Sequence, residues 1–287
     1  MTALPVPLTP SSDAEVGLDG HDPGSGPRQA LADARVLTGR TFRHWARQPG
    51  VFLVNLLFPV FTLVRFGYLF GGAMTVAGGG DYLEFLVPGM LGLSVLFGIE
   101  ATVLAVTTDA AKGVTDRFRS LPMAGSAVVV GRSAADMVNA VLGLVTMVAA
   151  GLAVGWRWHE GIGRAAAALG LFLLLRFAFV WVGIYLGLVL KTPEAAVVVQ
   201  ILVWPLGFVS SAFTSPEDMP AWLGAVSEWN PVSSTITAAR ELLGNPGVPE
   251  DGSWIVDHAL AMAVAWPLVL VAVFGPLAAA RYRNLSR

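Results

Sequence analysis

Six long apolar runs, separated by short polar or turn-rich stretches, dominate the chain from residue 51 onward. Each run is close to the roughly 20 residues that a helix needs to cross a 30 Å hydrocarbon layer. Backbone N–H and C=O groups in lipid have no water to bond, so their hydrogen bonds must be made within the segment. These runs are therefore expected to be helices. The pattern predicts an all-α, polytopic membrane protein with six transmembrane helices, at residues 51–71, 84–107, 133–155, 162–190, 195–213 and 255–280.

The residues ahead of the first run divide into two parts. Residues 1–27 are rich in Pro, Gly, Ser and Asp without an apolar period, which predicts a disordered cytoplasmic tail. Residues 28–48 place apolar side chains at helical spacing opposite a basic face, which predicts an amphipathic elbow helix lying in the membrane interface. Its basic and interfacial residues are Arg35, Arg40, Arg43, Trp45 and Arg47. The transmembrane domain is therefore predicted to cover residues 28–287.

The Lys and Arg residues outside the spans are unevenly divided between the two sides of the membrane. Thirteen fall in the tail and elbow, the loop after the second span, the turn after the fourth and the C-terminal end. Only Arg157, Arg164 and Arg240 fall on the other side. Cytoplasmic loops of membrane proteins carry an excess of Lys and Arg, so the side with thirteen is predicted to be cytoplasmic, with both termini.

The loop between the second and third spans, at residues 109–132, is charged and turn-rich. It carries four Lys or Arg residues and a break at Pro122, and it must lie in water because its neighbours lie in lipid. A basic cytoplasmic loop of this kind is suited to docking a soluble partner. The residues expected to make that contact are Asp109, Lys112, Asp116, Arg117, Phe118, Arg119, Leu121, Pro122 and Met123.

The long stretch at residues 214–254 is predicted to lie outside the cell. It contains two amphipathic segments that are too short to span, the second at residues 233–243, and both are expected as half-buried helices at the outer rim. The residues predicted to form this external cap are Met219, Pro220, Trp222, Leu223 and Trp229. An aromatic belt at the outer boundary is predicted from Trp156, Trp158, Trp222, Trp229 and Trp254.

Composition and missing motifs narrow the classes of function that the chain can have. Apolar residues make up 55% of the chain and charged residues 13%, against about 25% charged in soluble domains. The net charge is −2 and the basic residues are scattered, so the sequence shows no basic patch that could bind nucleic acid. Nucleic acid is therefore not expected as a partner. The sequence has no Cys, no phosphate-binding loop and no hydrolase or metalloprotease motif. The chain is predicted to have no catalytic residue and no metal site.

Ionisable residues within the predicted spans include Arg65, Glu100, Asp136 and Arg176. A charge there is costly and normally faces a partner or a path. Arg65 and Asp136 lie near span ends and can reach the interface or water. Glu100 and Arg176 lie deeper. From the sequence they either pair within the bundle or line a pathway, and both alternatives stay open.

Four stretches resemble the membrane subunit of ABC-2 type ATP-binding-cassette exporters, and within that family the daunorubicin-resistance-type permeases. The central-loop stretch DRFRSLPM is the most specific, and the likeness extends from residue 28 to the C-terminal end. The stretches are YLEFLVPG at residues 82–89, DRFRSLPM at 116–123, KTPEA at 191–195, and residues 210–223 together with Asn230, Pro231 and Arg240.

The resemblance implies a dimer of six-span subunits joined to two copies of a separate ATP-binding subunit. That subunit would bind ATP and Mg²⁺, and it would meet the elbow helix and the 109–132 loop, which would act as a coupling helix. A substrate path between the second and fifth spans would include Glu100, Thr102, Arg176, Gln200 and Trp204. Arg65 departs from the family pattern, which has an apolar residue there.

The function predicted in this way is export of a hydrophobic small molecule, such as an antibiotic, a drug or a lipid-like metabolite, across the bacterial plasma membrane. Alternating access would be driven by the partner subunit, so this chain is not expected to be an enzyme by itself. Export of a polysaccharide or lipid-linked glycan is the alternative, and a membrane-embedded enzyme or scaffold is a third reading. A homodimer is expected, and pairing of two different permeases stays open.

Overall fold

A computed structural model describes residues 49–71, 76, 79–111, 125–190, 192–249 and 253–284. Every regular element in this part of the chain is helical, and it contains no β-strand. The predicted tail, the predicted elbow helix and residues 112–124 of the central loop lie outside the described residues. The all-α class predicted from the apolar runs is confirmed.

The described residues form nine α-helices, which we number in chain order. Their bounds are α1 Pro49–Phe70, α2 Tyr82–Ala111, α3 Gly125–Ala153, α4 Ile162–Leu190, α5 Ala195–Phe208, α6 Ala221–Glu228, α7 Pro231–Leu243, α8 Trp254–Asp257 and α9 Ala259–Asn284. A 3₁₀ turn at Pro216–Asp218 separates α5 from α6.

Four of these helices are long and apolar enough to cross a membrane when the described residues are considered. They correspond to α2, α4, the Ser133–Ala153 part of α3 and the Ala259–Tyr282 part of α9. In α1 and α5 the apolar stretches are shorter, at Leu56–Phe70 and Ala196–Phe208. A multi-pass membrane protein is therefore confirmed, whereas the count of six spans remains a prediction.

Several helix ends differ from the predicted spans. Helix α3 begins at Gly125 rather than at residue 133, so its first two turns lie inside the predicted 109–132 loop. Helix α5 ends at Phe208 rather than at residue 213, because the Ser210 hydroxyl bonds the carbonyl oxygen of Gly207 at 2.6 Å and the chain then turns. The last long helix begins at Ala259 rather than at residue 255. His258, with φ −112° and ψ 29°, lies outside the helical region and separates α8 from α9.

Helix α4 is the centre of the bundle, where it packs against α2, α3, α7 and α9. Small residues allow its closest approach to α2, because a Cβ on Gly183 or Gly187 would meet the side chains of Thr102 and Val106. Phe172 and Leu175 on α4 are fully buried in the main hydrophobic core, together with Leu86, Leu91 and Ile236.

The segment after α5 turns back into the bundle instead of lying on the rim. Residues 232–240 of α7 are all buried, so the prediction that both cap helices are half-buried is wrong for α7. Ser, Thr and Ala occupy most of these positions. The Thr235 hydroxyl donates to the Pro231 carbonyl oxygen at 3.0 Å, whereas the buried Ser234 hydroxyl has no partner among the described residues. Small side chains of this kind allow neighbouring helices to approach closely on every side.

One member of the predicted aromatic belt also belongs to the core. Trp156 is 2% exposed, and its indole nitrogen donates a 3.0 Å hydrogen bond to Asn245 Oδ1, just after α7. The Asn245 amide in turn donates to the carbonyl oxygen of Arg157 at 3.0 Å. The buried Trp156 therefore fastens the α3–α4 connection to the end of α7 and does not face lipid.

Gly89 gives a direct test of this packing. A Cβ there would meet the backbone oxygen and Cα of Ala212, so we expect Gly89→Ala to lower the free energy of unfolding by about 1–3 kcal/mol through overpacking. Titration with SDS in mixed micelles would measure it. The control Gly170→Ala places its Cβ in open space on α4 and should be neutral or stabilising, since alanine favours helix. Equal stability of Gly89→Ala and the wild type would contradict the close approach.

Candidate functional site

A groove of about 250 Å³ opens between α1, α2 and α5. Six of the thirteen residues that line it are aromatic, namely Phe58, Phe66, Phe97, Trp204, Phe208 and Phe213. Gly207 lets α5 approach α2, since a Cβ at this position would lie 2.9 Å from the Leu93 side chain. Concave, mainly apolar sites with a few polar groups are the usual form of small-molecule sites.

The rings of the groove form a continuous series of contacts. Phe97 on α2 meets Trp204 on α5 with ring centroids 4.9 Å apart, and Trp204 meets Phe208 at 5.7 Å. Phe208 then contacts Phe213 at 5.5 Å, and Phe213 contacts Phe66 on α1 at 4.9 Å. Because these rings come from three helices and the turn after α5, any relative movement of α1, α2 and α5 changes the shape of the groove.

Glu100 and Gln200 extend the α2–α5 contact beyond the groove. The carboxyl of Glu100 forms a side-chain hydrogen bond with Gln200. Glu100 lies about one helical turn after Phe97 on α2, and Gln200 about one turn before Trp204 on α5. Of the five residues predicted for the substrate path, Trp204 lines the groove and these two lie next to it.

The other two predicted path residues face the interior of the bundle. Arg176 on α4 is 3% exposed, and its Nη2 donates to Thr102 Oγ1 at 3.0 Å. The Thr102 hydroxyl lies 2.9 Å from Asp136 Oδ2, to which it donates. Gly98 makes room for the guanidinium, because a Cβ there would lie 2.6 Å from Arg176 Cζ. This network joins α2, α3 and α4, and its buried contacts support structural pairing of Arg176.

Arg240 on α7 joins three separate parts of the chain. It is fully buried, and its Nε and Nη2 donate to the carbonyl oxygen of Phe85 on α2 at 3.2 and 2.9 Å. Nη2 also donates to the Ser211 carbonyl oxygen at 2.9 Å, and the guanidinium carbon lies 3.6 Å from the centroid of the Phe85 ring. Burial lowers the pKa of Arg240 to about 9, so the group is still charged at neutral pH.

Asn230 fixes the start of α7 and the end of α5 at the same time. Its side-chain oxygen accepts from Val232 N at 2.9 Å, as an N-cap does. Its Nδ2 donates to the Leu206 carbonyl oxygen at 2.9 Å, and Ser211 N donates to Ser233 Oγ at 3.0 Å. These bonds position Phe208 and Phe213, which end the groove.

The structural importance of Arg240 and Asn230 was not predicted from the sequence. In the sequence, Arg240 is one of three basic residues on the outer side and part of a stretch that resembles the family, and neither observation predicts its burial. The available signal was its position in the otherwise acidic 214–254 stretch, near the end of a segment that could bury a face. Asn230 was recognised only as part of the Asn-Pro pair, although Asn followed by Pro at the first helical position is a typical helix start.

The structure describes all five predicted cap residues but only one of the predicted docking residues. Trp222 and Trp229 on or next to α6 are 71% and 61% exposed, Pro220 is exposed, and Met219 and Leu223 are partly exposed. Asp109 lies in the last turn of α2, whereas the other predicted docking residues and the elbow residues lie outside the described residues. Within the described part, no group of three or more His, Cys, Asp or Glu could hold a metal ion.

The fold and the groove define a class: a helical, multi-pass membrane protein with an aromatic groove between its helices, as a transport permease would have. Comparison with known proteins gives the family. The profile of ABC-2 type transporters matches residues 33–243, and the chain belongs to this family of transporter membrane subunits. The resemblance inferred from the sequence motifs is therefore confirmed.

Two relatives show how far the similarity extends. The daunorubicin resistance ABC transporter permease protein DrrB1 of Streptomyces coeruleorubidus is 34% identical over 268 residues, covering 91% of this chain and 90% of that protein. The putative transport permease ycf38 of Cyanophora paradoxa is 27% identical over 229 residues, covering 78% of this chain and 77% of that protein. The similarity therefore covers most of each protein.

The Arg240 contacts can be tested by removing the guanidinium. We expect Arg240→Met to lower the free energy of unfolding by about 2–4 kcal/mol, because it leaves two buried carbonyl oxygens without their donor. Arg240→Lys should recover only part of the loss, since one ammonium cannot reproduce the planar fork. Arg164→Met removes an exposed pair with Glu160 and should change stability by about 1 kcal/mol or less. An effect of Arg240→Met no larger than that of Arg164→Met would contradict the assignment.

The Arg176 network gives a separate prediction. Thr102→Val keeps the shape of the side chain but removes the hydroxyl between Arg176 and Asp136, and we expect a loss of about 1–3 kcal/mol in the free energy of unfolding. Thr146→Val is the matched control, because the Thr146 hydroxyl bonds only the Leu142 carbonyl of its own helix among the bonds described, at 2.8 Å. SDS titration would compare the two variants. Similar stability of both would show that the bridge is unimportant.

Proposed function

We propose that this chain is the permease subunit of an exporter for hydrophobic, aromatic small molecules, driven by a separate ATP-binding subunit. The observation that supports this substrate class is the aromatic groove between α1, α2 and α5, where Phe97 and Trp204 are in ring contact. The printed name of the Streptomyces coeruleorubidus relative, which refers to daunorubicin resistance, is consistent with such a substrate.

The lining favours a hydrophobic substrate over a glycan. Of the described residues that line the groove, only Thr62, Arg65 and Ser94 have a polar side chain apart from the Trp204 indole. A sugar chain carries many hydroxyl groups, and each one left without a hydrogen-bond partner on leaving water is costly. Export of a polysaccharide or lipid-linked glycan is therefore the less favoured alternative.

Energy would enter through the cytoplasmic loop. In this proposal the ATP-binding subunit binds ATP and Mg²⁺ and contacts the elbow helix at residues 28–48 and the coupling element at residues 109–132. Helix α2 ends at Ala111, inside that element, and also carries Phe97 and Met90 of the groove. A pull on the loop would therefore reach the groove along one continuous helix. Closure of the ATP-binding subunits would switch the groove between inward-open and outward-open states.

The proposed assembly is a homodimer of six-span subunits in the bacterial plasma membrane, with both termini in the cytoplasm. Helices α1 and α5 each expose large apolar side chains in the single chain, and these faces need cover from lipid or from a second copy. The outward-facing residues include Val54, Phe61, Tyr68, Val198, Ile201 and Leu202. A second copy against this side would enclose the groove between the two permeases.

The coupling role can be tested by charge reversal. We expect the double variant Arg117→Glu, Arg119→Glu to lower ATP-driven transport by at least about tenfold, since each reversed contact with an acidic partner costs on the order of 1 kcal/mol or more. Membrane insertion, measured by size-exclusion chromatography of the extracted protein, should be unchanged. Uptake of a fluorescent aromatic compound into inverted vesicles containing both subunits would give the rate.

Arg164→Glu is the control for the charge reversal, because it reverses a basic residue at the opposite end of the bundle, at the start of α4. It should leave transport close to the wild-type rate. Unchanged transport in the double variant would count against the proposed coupling element, and ATP hydrolysis by the purified chain alone would count against a separate energy source.

A further inference from the structure

Among the described residues, one cation lines the aromatic groove. Of the described residues that line it, Arg65 alone carries a charge. Arg65 shares one face of α1 with Phe58 and Thr62, at helical spacings of seven and three residues, and all three line the groove. The side chain of Arg65 is exposed in the single chain, so the guanidinium is accessible from the open side.

No protein group in the described part of the chain neutralises this charge. The acidic residue nearest along the α2–α5 contact, Glu100, is bonded to Gln200 and does not line the groove. Glu84 contacts His159 and Glu160 pairs with Arg164, and none of these four residues lines the groove. An unneutralised cation beside an apolar surface within a membrane protein is unfavourable unless a ligand or water solvates it.

We propose that Arg65 determines substrate specificity by selecting aromatic molecules that carry an acidic group. The rings of the substrate would lie against the series Phe97, Trp204 and Phe208, and its carboxylate or phenolate would bind the Arg65 guanidinium. A carboxylate can accept two parallel hydrogen bonds from a guanidinium, which gives both strength and orientation. This inference rests on the proposed function, because it assigns the substrate class of the same groove.

The size and chemistry of the groove favour this occupant over a lipid. Its volume of about 250 Å³ is near the lower end of small-molecule sites, roughly 300–1,000 Å³. That size suits a compound of a few fused rings. Stacked rings on three helices recognise a flat aromatic molecule by its faces, whereas an acyl chain gains nothing specific from them. A lipid phosphate at Arg65 is therefore treated as an outcome of the test.

The test uses three probes that share one ring system and differ in their charge, which is negative, neutral or positive. The probes are 9-anthracenecarboxylate, the neutral 9-anthracenemethanol and the cationic 9-(aminomethyl)anthracene, added to the complex of this chain with its ATP-binding subunit in phosphatidylcholine nanodiscs. Probe fluorescence anisotropy would give each Kd. We expect the carboxylate to bind about tenfold more tightly than the alcohol, as charge-assisted hydrogen bonds imply, and the amine to bind most weakly.

Variants identify the residue responsible. Arg65→Leu should remove the preference for the carboxylate while leaving the Kd of the alcohol within about twofold, because the ring contacts remain. Arg65→Lys should retain part of the preference, since it keeps the positive charge but not the planar fork that binds a carboxylate through two hydrogen bonds. Arg164→Leu removes an exposed cation at the start of α4 and should leave all three Kd values unchanged. Persistence of the preference in Arg65→Leu, or its absence in the wild type, would overturn the inference.

Trp204→Ala separates this inference from the proposed function. If it weakens the binding of all three probes while the wild type shows no charge preference, the groove is the site and only the role of Arg65 fails. If it changes none of them, the groove is not the binding site and the proposed function fails as well. Nanodiscs with phosphatidylglycerol complete the test. If the wild type binds the carboxylate much more weakly in phosphatidylglycerol than in phosphatidylcholine, and Arg65→Leu shows no such difference, Arg65 binds a lipid headgroup. That result would overturn the inference.

Discussion

The buried guanidinium of Arg240 holds together the parts of the molecule that determine one end of the groove. It binds the carbonyl oxygens of Phe85 and Ser211 and lies over the Phe85 ring. A fully buried charge is tolerated only when its donors are well matched, because removal from water costs several kcal/mol. The same requirement makes the arrangement specific: α2, the turn after α5, and α7 must all be in place before the charge is satisfied.

This constraint divides the bundle into a fixed part and a more open part. Helices α4, α7 and α9 pack against one another, and α2 packs against α4 and α7. Arg240 joins α2 to α7, and the Arg176 network joins α2, α3 and α4 through polar contacts. Helices α1 and α5 are exposed along much of their length and form the other walls of the groove. Since interiors are close-packed and resist deformation, a change of groove shape is expected from movement of α1 and α5 relative to α2.

The sequence predicted the helical membrane class and several helix bounds, because the length of an apolar run is set by the thickness of the bilayer that it crosses. Helix α4, at Ile162–Leu190, coincides with its predicted span at both ends. The burial of α7 and Trp156 could not be predicted in this way, because it depends on partners distant in the chain, such as Phe85 for Arg240. The ring contacts of the groove were missed for the same reason. Hydropathy shows that Phe66, Phe97 and Trp204 are apolar, but not that their helix faces meet.

Three arginines in this chain differ in their surroundings, and the difference separates arginines that hold the fold together from one that is free to bind a ligand. Arg176 and Arg240 are buried, and the protein supplies their hydrogen-bond acceptors on neighbouring elements. A charge satisfied in this way has no remaining capacity to attract a ligand strongly, although each has one nitrogen without a partner. Arg65 is exposed beside stacked rings, and the described residues give it no carboxylate. Because a charge in an apolar setting favours whatever neutralises it, the exposed arginine, rather than the deeply buried ones, is the position at which we propose that the charge of a substrate is recognised.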